Sequence, residues 1–148
     1  MTTPLPHFEL VENLSMADVA FRAYGSSPGE LFRSASLAVL SVLLENPLCV
    51  AASESVPLSL RNAHLDLLLF DFLNELIYRK DVDAVLLYAT HAVVECAGSE
   101  WTLDARLAGE RIDRGKHVFA VDIKAATMHR LSVENNNGLW VATVVLDV

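Results

Sequence analysis

Residues 18–45 read DVAFRAYGSSPGELFRSASLAVLSVLLE, and two periodicities meet inside them. From Asp18 to Tyr24 the residues alternate. Val19, Phe21 and Ala23 point one way, and Ala20, Arg22 and Tyr24 the other. That two-residue repeat is a strand with one more polar face. Gly25-Ser26-Ser27 breaks it. Ser27 is then followed by Pro28 and, three places on, by Glu30. This is a capping-box sequence with proline at the first helical position, where its missing N–H costs nothing. The spacing predicts a helix from Pro28 to Glu45. Leu31, Ala35, Ala38 and Val42 form its apolar stripe, and Phe32, Val39 and Leu43 widen it. Asn46-Pro47 ends it.

The same reading extends both ways along the chain. His7 to Val11 predicts a preceding strand. Glu54 to Leu60 predicts a short one, and Pro57 confines it to a sheet edge. Asn62 can cap a second helix over Ala63 to Arg79, whose stripe is Leu65, Leu68, Leu69, Phe72, Leu73 and Leu76. Asp66 at its start and Arg79-Lys80 at its end suit the helix dipole. Beyond Asp83 the pattern turns to strands. Ala84 to Cys96 and Glu100 to Leu107 flank a Gly98-Ser99 turn. Gly109 to Gly115 reads as a polar loop, and Val118 to Val133 contains another strand. Asn136-Asn137-Gly138 predicts a hairpin turn into a last strand, Leu139 to Val148. The expected fold class is α+β, a two-layer sandwich with two amphipathic helices packed on one face of a mostly antiparallel sheet. Loops are short and no repeat is present, so residues 1–148 are expected to form a single domain.

Composition excludes several classes. Of 148 residues, 53% are apolar and 20% charged, enough for a core and against disorder. The net charge of −8 argues against a protein that coats nucleic acid by its own field. The first basic residue is Arg22, so the charged region of a secretory signal is missing. No apolar run approaches the ~18 residues of a membrane span. The most apolar stretch, Leu65 to Leu73, is interrupted by Asp66 and Asp71. Cys49 and Cys96 are too far apart for a redox pair or a zinc knuckle and read as buried free thiols. A cytoplasmic protein with no membrane partner is expected.

Catalytic motifs are missing too. None of His7, His64, His91, His117 and His129 stands in a nucleophile motif, and there is no phosphate-binding glycine loop. Asp18 and Asp147 both fall at strand ends, and Asp147 precedes the last residue, Val148. Hard divalent cations want several carboxylate oxygens, but composition alone does not bring these residues together, and either Asp could equally be a solvated turn former. The charge is uneven. Residues 1–105 carry −9, residues 106–130 carry +3 and the last 18 carry −2. The basic block lacks aromatic residues interleaved for base stacking, so it reads as a solvated face before it reads as an RNA patch.

Five motifs in order resemble the archease family from about Phe8 to Val148. Ala17-Asp18-Val19-Ala20-Phe21-Arg22-Ala23-Tyr24-Gly25 is similar to the second half of the family's H-T-A-D-I-G-I-R-A-Y-G run. Leu73-Asn74-Glu75-Leu76 resembles its L-x-E-L helix. Gly109-Glu110, Asp113 and Lys116-His117 resemble G-E-x-x-D-x-x-[KR]-H, and Lys124-Ala125, Thr127 and His129 resemble K-A-x-T-Y-H. Asp147-Val148 resembles the family's terminal D-[IV]. The resemblance implies a protein cofactor, itself no enzyme, for the RtcB-type RNA ligase of tRNA splicing and RNA repair. It would promote ligase guanylylation and multiple turnover and meet RNA only through the ligase. The resemblance also implies a divalent cation, calcium, held by Asp18, Asp147 and the carboxylate of Val148. It further makes Lys124, His129, His117 and Glu110 candidates for a face that meets the ligase. For Lys124, pairing with Asp122 or Glu110 is the competing structural reading. The chain departs from the family at Leu14-Ser15-Met16, which stands in place of E-H-T, at Met128 in place of Tyr, and at the apolar Val118-Phe119. Those departures favour a second reading, an archease-fold adaptor or chaperone-like protein with a different partner.

Overall fold

The computed structural model describes residues 7–148 apart from Met16, and without the side chains of residues 12–15. Along the chain run β1 (His7–Ser15), β2 (Asp18–Gly25), α1 (Pro28–Leu43), a 3-10 turn (Pro47–Cys49), β3 (Glu54–Asn62), α2 (Leu65–Asp83), β4 (Val85–Ala97), β5 (Glu100–Arg111), β6 (Ala125–Ala126), β7 (Ser132–Asn136) and β8 (Leu139–Asp147). The α+β class holds. All strand pairs are antiparallel, but they divide into two sheets rather than one. The first has the order β1-β2-β8-β6, with β7 also on β8. The second has the order β3-β5-β4. Pro57 therefore does lie on an edge strand.

Helix α1 touches both sheets. It packs on β2 and β1 of the first sheet and on β4 of the second. A Cβ at Gly29 would collide with the Ala92 carbonyl oxygen of β4, and one at Gly25 would collide with the Leu31 amide of the helix. Only glycine allows both approaches. Two serines of α1 bond backbone groups of the flanking strands. Ser34 Oγ accepts the His7 N–H at 3.0 Å and donates to the Tyr24 carbonyl at 2.8 Å. Ser36 Oγ accepts the Ala89 N–H at 3.0 Å, where β4 shifts register between Ala89 and His91. The helix thus bonds backbone groups of both sheets.

The start of α1 follows its sequence. Ser27 Oγ accepts the Glu30 N–H at 3.1 Å, while the Glu30 carboxylate takes the Ser26 hydroxyl at 2.6 Å. The helix ends at Leu43, two residues early, because Leu44 turns extended and bridges Phe119. The Ala120 N–H then satisfies the Leu43 carbonyl at 2.8 Å. Helix α2 begins two residues later than expected and runs four further. Asn62 does not cap it but closes β3, accepting the His64 N–H and donating to Asp71, each at 3.0 Å. Its C-terminal stop is Ala84, in the left-handed conformation at φ 52°. The stripes of both helices meet in the core, where Phe32 and Phe72 stack at 5.6 Å, both fully buried.

Two further expectations need correction. The Gly109–Gly115 loop is shorter than predicted, because Gly109 to Arg111 continue β5 opposite Leu87, Leu86 and Val85. A Cβ at Gly109 would strike the Leu86 carbonyl oxygen, so this glycine marks a close strand approach and no turn. The region Val118–Val133 holds one two-residue strand, β6, and the start of β7 rather than one longer strand. The Asn137-Gly138 turn is as predicted, with φ 54° and 92°. Among the described residues no helix is long and apolar enough to cross a membrane.

Candidate metal centre

The β2–β8 pairing sets the geometry. Its register places Asp18 directly opposite Asp147, then Ala20 opposite Val145, Arg22 opposite Thr143 and Tyr24 opposite Val141. All are on the face turned away from Phe21 and Ala23, as strand alternation requires. The Val148 N–H donates to the Ala17 carbonyl at 2.9 Å, so the last residue continues the pairing past the two aspartates. The structure therefore brings together the two carboxylates that are 129 positions apart in the chain, with the backbone of Val148 beside them.

Both aspartates are half-buried. Their neighbours on the same face, Ala20 and Val145, are 3% and 1% exposed, so solvent reaches this end of the sheet poorly. Carboxylates directly opposite each other on one face repel, and the repulsion grows as water is excluded. Cross-strand Cβ atoms stand about 4.5–5.5 Å apart, and a calcium ion takes oxygens at about 2.3–2.6 Å, so one cation can bridge such a pair. The donor set fits a hard cation: oxygen only and anionic. Among the described residues, no three His, Cys, Asp or Glu side chains cluster to hold a metal.

Segment 124–129 borders the pair on its other side. Ala125 pairs with Asp147, and the Lys124 N–H donates to the Asp147 carbonyl at 2.8 Å. The Thr127 N–H and hydroxyl both donate to the Val145 carbonyl, at 3.0 and 2.9 Å. The His129 N–H then closes a local turn on the Thr127 hydroxyl at 3.3 Å. Lys124, Met128 and His129 are exposed, and Lys124 is the one whose backbone bonds Asp147. Neither carboxylate suggested for Lys124 takes it. Asp122 pairs with Lys80 at 2.8 Å, and Glu110 is held by other groups.

Glu110 and His117 require correction. His117 is 1% exposed, so it faces the interior and no partner. Its Nδ1 accepts the Asp113 N–H at 2.9 Å, which leaves Nε2 to donate the ring proton to Glu110 Oε1 at 2.9 Å. Glu110 also accepts Lys116 Nζ on both oxygens, at 2.9 and 2.8 Å, and the Ala51 N–H at 3.0 Å. The Lys116 ammonium, then the Ala51 N–H and the His117 ring, hold the Glu110 carboxyl down at about 2, against the desolvation that would raise it. The G-E-x-x-D-x-x-K-H stretch is thus an internal clasp between β5, the loop after it and the segment before β3. Leu14-Ser15-Met16 falls on Met16 and on side chains outside the described residues.

Sequence reasoning missed Asn74. Its side chain, projecting from α2, bonds both backbone groups of Ala126 in β6. Asn74 lies outside the Leu65–Leu76 stripe, so no periodicity marked it.

Residues 8–148 match the archease protein family. A protein archease of Methanosarcina mazei is 34% identical over 134 residues, which is 89% of this chain and 90% of that protein. One from Methanopyrus kandleri is 32% identical over 89% of this chain and 94% of its own length. The solution structure of protein 1598 of Methanobacterium thermoautotrophicum superposes with a TM-score of 0.81 at 29% identity, covering 95% of this chain and 98% of that one. A crystal structure from Thermotoga maritima, titled an archease and possible chaperone, shares the fold at a TM-score of 0.58 and 20% identity, covering 100% and 98%. By its motifs, its fold and these relatives, the chain belongs to the archease family.

Proposed function

We propose that this protein is a non-enzymatic activator of an RtcB-type RNA ligase, acting in the cytoplasm in tRNA splicing or RNA repair. The observation that carries the reading is the Asp18–Asp147 pair in direct cross-strand register. Asp18, Asp147 and the carboxylate of Val148 would hold a hard divalent cation, and the family resemblance points to calcium. When bound, that cation would offset most of the negative charge of the cluster and fix the two strand ends against each other. Lys124 and His129, exposed beside it, would meet the ligase. Asp147 holds the Lys124 backbone through its carbonyl, so ordering the aspartate orders the surface lysine. The net charge of −8 suits a basic protein cleft and leaves RNA contact to the ligase.

Multiple-turnover RNA ligation by a cognate ligase, with and without this protein, tests the reading. Product beyond one equivalent of ligase should accumulate only when the protein is present. Equal turnover in both reactions contradicts it. A second reading is an adaptor or chaperone-like protein with another partner. It is favoured by Met128, 60% exposed where the family motif has tyrosine, and by the 92% exposure of Leu48. A pull-down that returns other proteins and no ligase would select it.

A further inference from the structure

Strand β6 is two residues long, and by its own pairing it is too short to stay in place. Ala125 and Thr127 turn toward β8, where the Thr127 N–H and hydroxyl reach the Val145 carbonyl. In an antiparallel ladder the residue between such partners turns its N–H and C=O the opposite way, toward the next strand. Among the described residues no further strand borders β6, whose neighbour in the sheet order is β8. Both outward groups of Ala126 are nevertheless satisfied. Its N–H donates to Asn74 Oδ1 at 2.9 Å, and its carbonyl accepts Asn74 Nδ2 at 3.2 Å. Ala126 is 4% exposed, so neither group could turn to water instead.

We infer that the Asn74 carboxamide acts as a one-residue surrogate strand, and that this makes it a positioning residue for the Asp147 end of the sheet. An amide side chain offers the same donor and acceptor as a peptide group, which no other side chain except glutamine does. Asn74 stands on α2, a helix anchored in the core by Phe72 and Leu73, both fully buried. It therefore ties segment 124–127 to the rigid part of the fold. Through that segment it sets the Lys124–Asp147 and Ala125–Asp147 pairings. The consequence for cation binding rests on the metal reading above.

The test compares wild type, Asn74→Ala, Asn74→Asp and, as a helix control, Arg79→Ala. Arg79→Ala removes an ion pair with Glu75 on the same helix but leaves Ala126 untouched. Two readouts are taken at a temperature where all four are folded: NMR-detected amide exchange of Ala126, and calcium affinity by calorimetry. In Asn74→Ala, Ala126 exchange should rise about tenfold, as loss of one buried hydrogen bond implies. Calcium affinity should fall about tenfold, as for other groups that orient metal ligands without touching the metal. Asn74→Asp keeps the acceptor for the Ala126 N–H and loses the donor, so it should fall between the two. Arg79→Ala should match wild type in both readouts. Unchanged Ala126 exchange in Asn74→Ala overturns the surrogate strand. Faster exchange with unchanged calcium affinity overturns the positioning role. A wild type that takes no calcium refutes the metal reading instead, and the exchange data still decide the clamp.

Discussion

Glu110 illustrates how a charged residue can be structural when it reads as functional. On sequence it stands in a motif beside Lys116 and His117 and invites a partner. In the structure four donor contacts converge on its two oxygens, and one of the donors is the buried His117 ring. Its carboxyl is held at about 2, below the ordinary 4.5, so the folded chain binds this proton less readily than the unfolded chain does. The stabilisation is complete above pH 4.5 and is lost as the pH falls toward 2. Glu110→Gln should therefore lower the melting temperature at pH 7, and the gap to wild type should narrow by pH 3 and close only below about pH 2. A gap of the same size at both values would mean that the carboxylate charge does not hold the clasp. Glycine carries a residue-scale lesson as well. Gly109→Ala should cost about 1–3 kcal/mol in denaturant unfolding, the range for overpacking, because the new methyl meets the Leu86 carbonyl. An unchanged midpoint would show that β4 and β5 can separate at little cost.

At the scale of elements, α1 is the piece that shapes the rest. It lies between the sheets, and its serines take strand backbone groups on both sides. Ser36→Ala should leave the Ala89 N–H without its acceptor and cost about 1–3 kcal/mol by urea unfolding. A cost near zero would place water or another acceptor at that bulge. Much of this level could be read in the sequence. The alternation of Asp18 to Tyr24, the Ser27-Pro28-Glu30 start of α1 and the Asn137-Gly138 turn are local signals, and each appears where it was expected. What escaped was set by distant contacts. Gly109 looks like a loop residue until Leu86 is brought against it. Strand β6 has no period to detect, because Asn74, 52 positions away, holds it in place. Nor does any local pattern reveal that the strands form two sheets, since the pairings join segments far apart in the chain.

The whole molecule brings the candidate site together from opposite ends of the chain. Asp18 and Asp147 each look like an ordinary strand-end acid, and their partnership is a property of the β2–β8 register. Family resemblance selected this pair out of 19 acids, and the register gives a physical reason to keep it. The same resemblance pointed to His117, which the fold buries, and to Glu110, whose oxygens the Lys116, His117 and Ala51 donors occupy. The candidate face is thereby narrowed to Asp18, Asp147, Val148, Lys124 and His129. A cation there would relieve the repulsion between the paired carboxylates and stabilise the fold, by about 2.7 kcal/mol at a hundredfold excess over its dissociation constant. The most direct measurement is calorimetric titration of calcium into wild type, Asp18→Asn and Asp147→Asn, with melting temperature followed in parallel. The account predicts one site in wild type, a raised melting temperature with calcium, and loss of both in either variant. No binding to wild type, or equal binding to all three proteins, would contradict it.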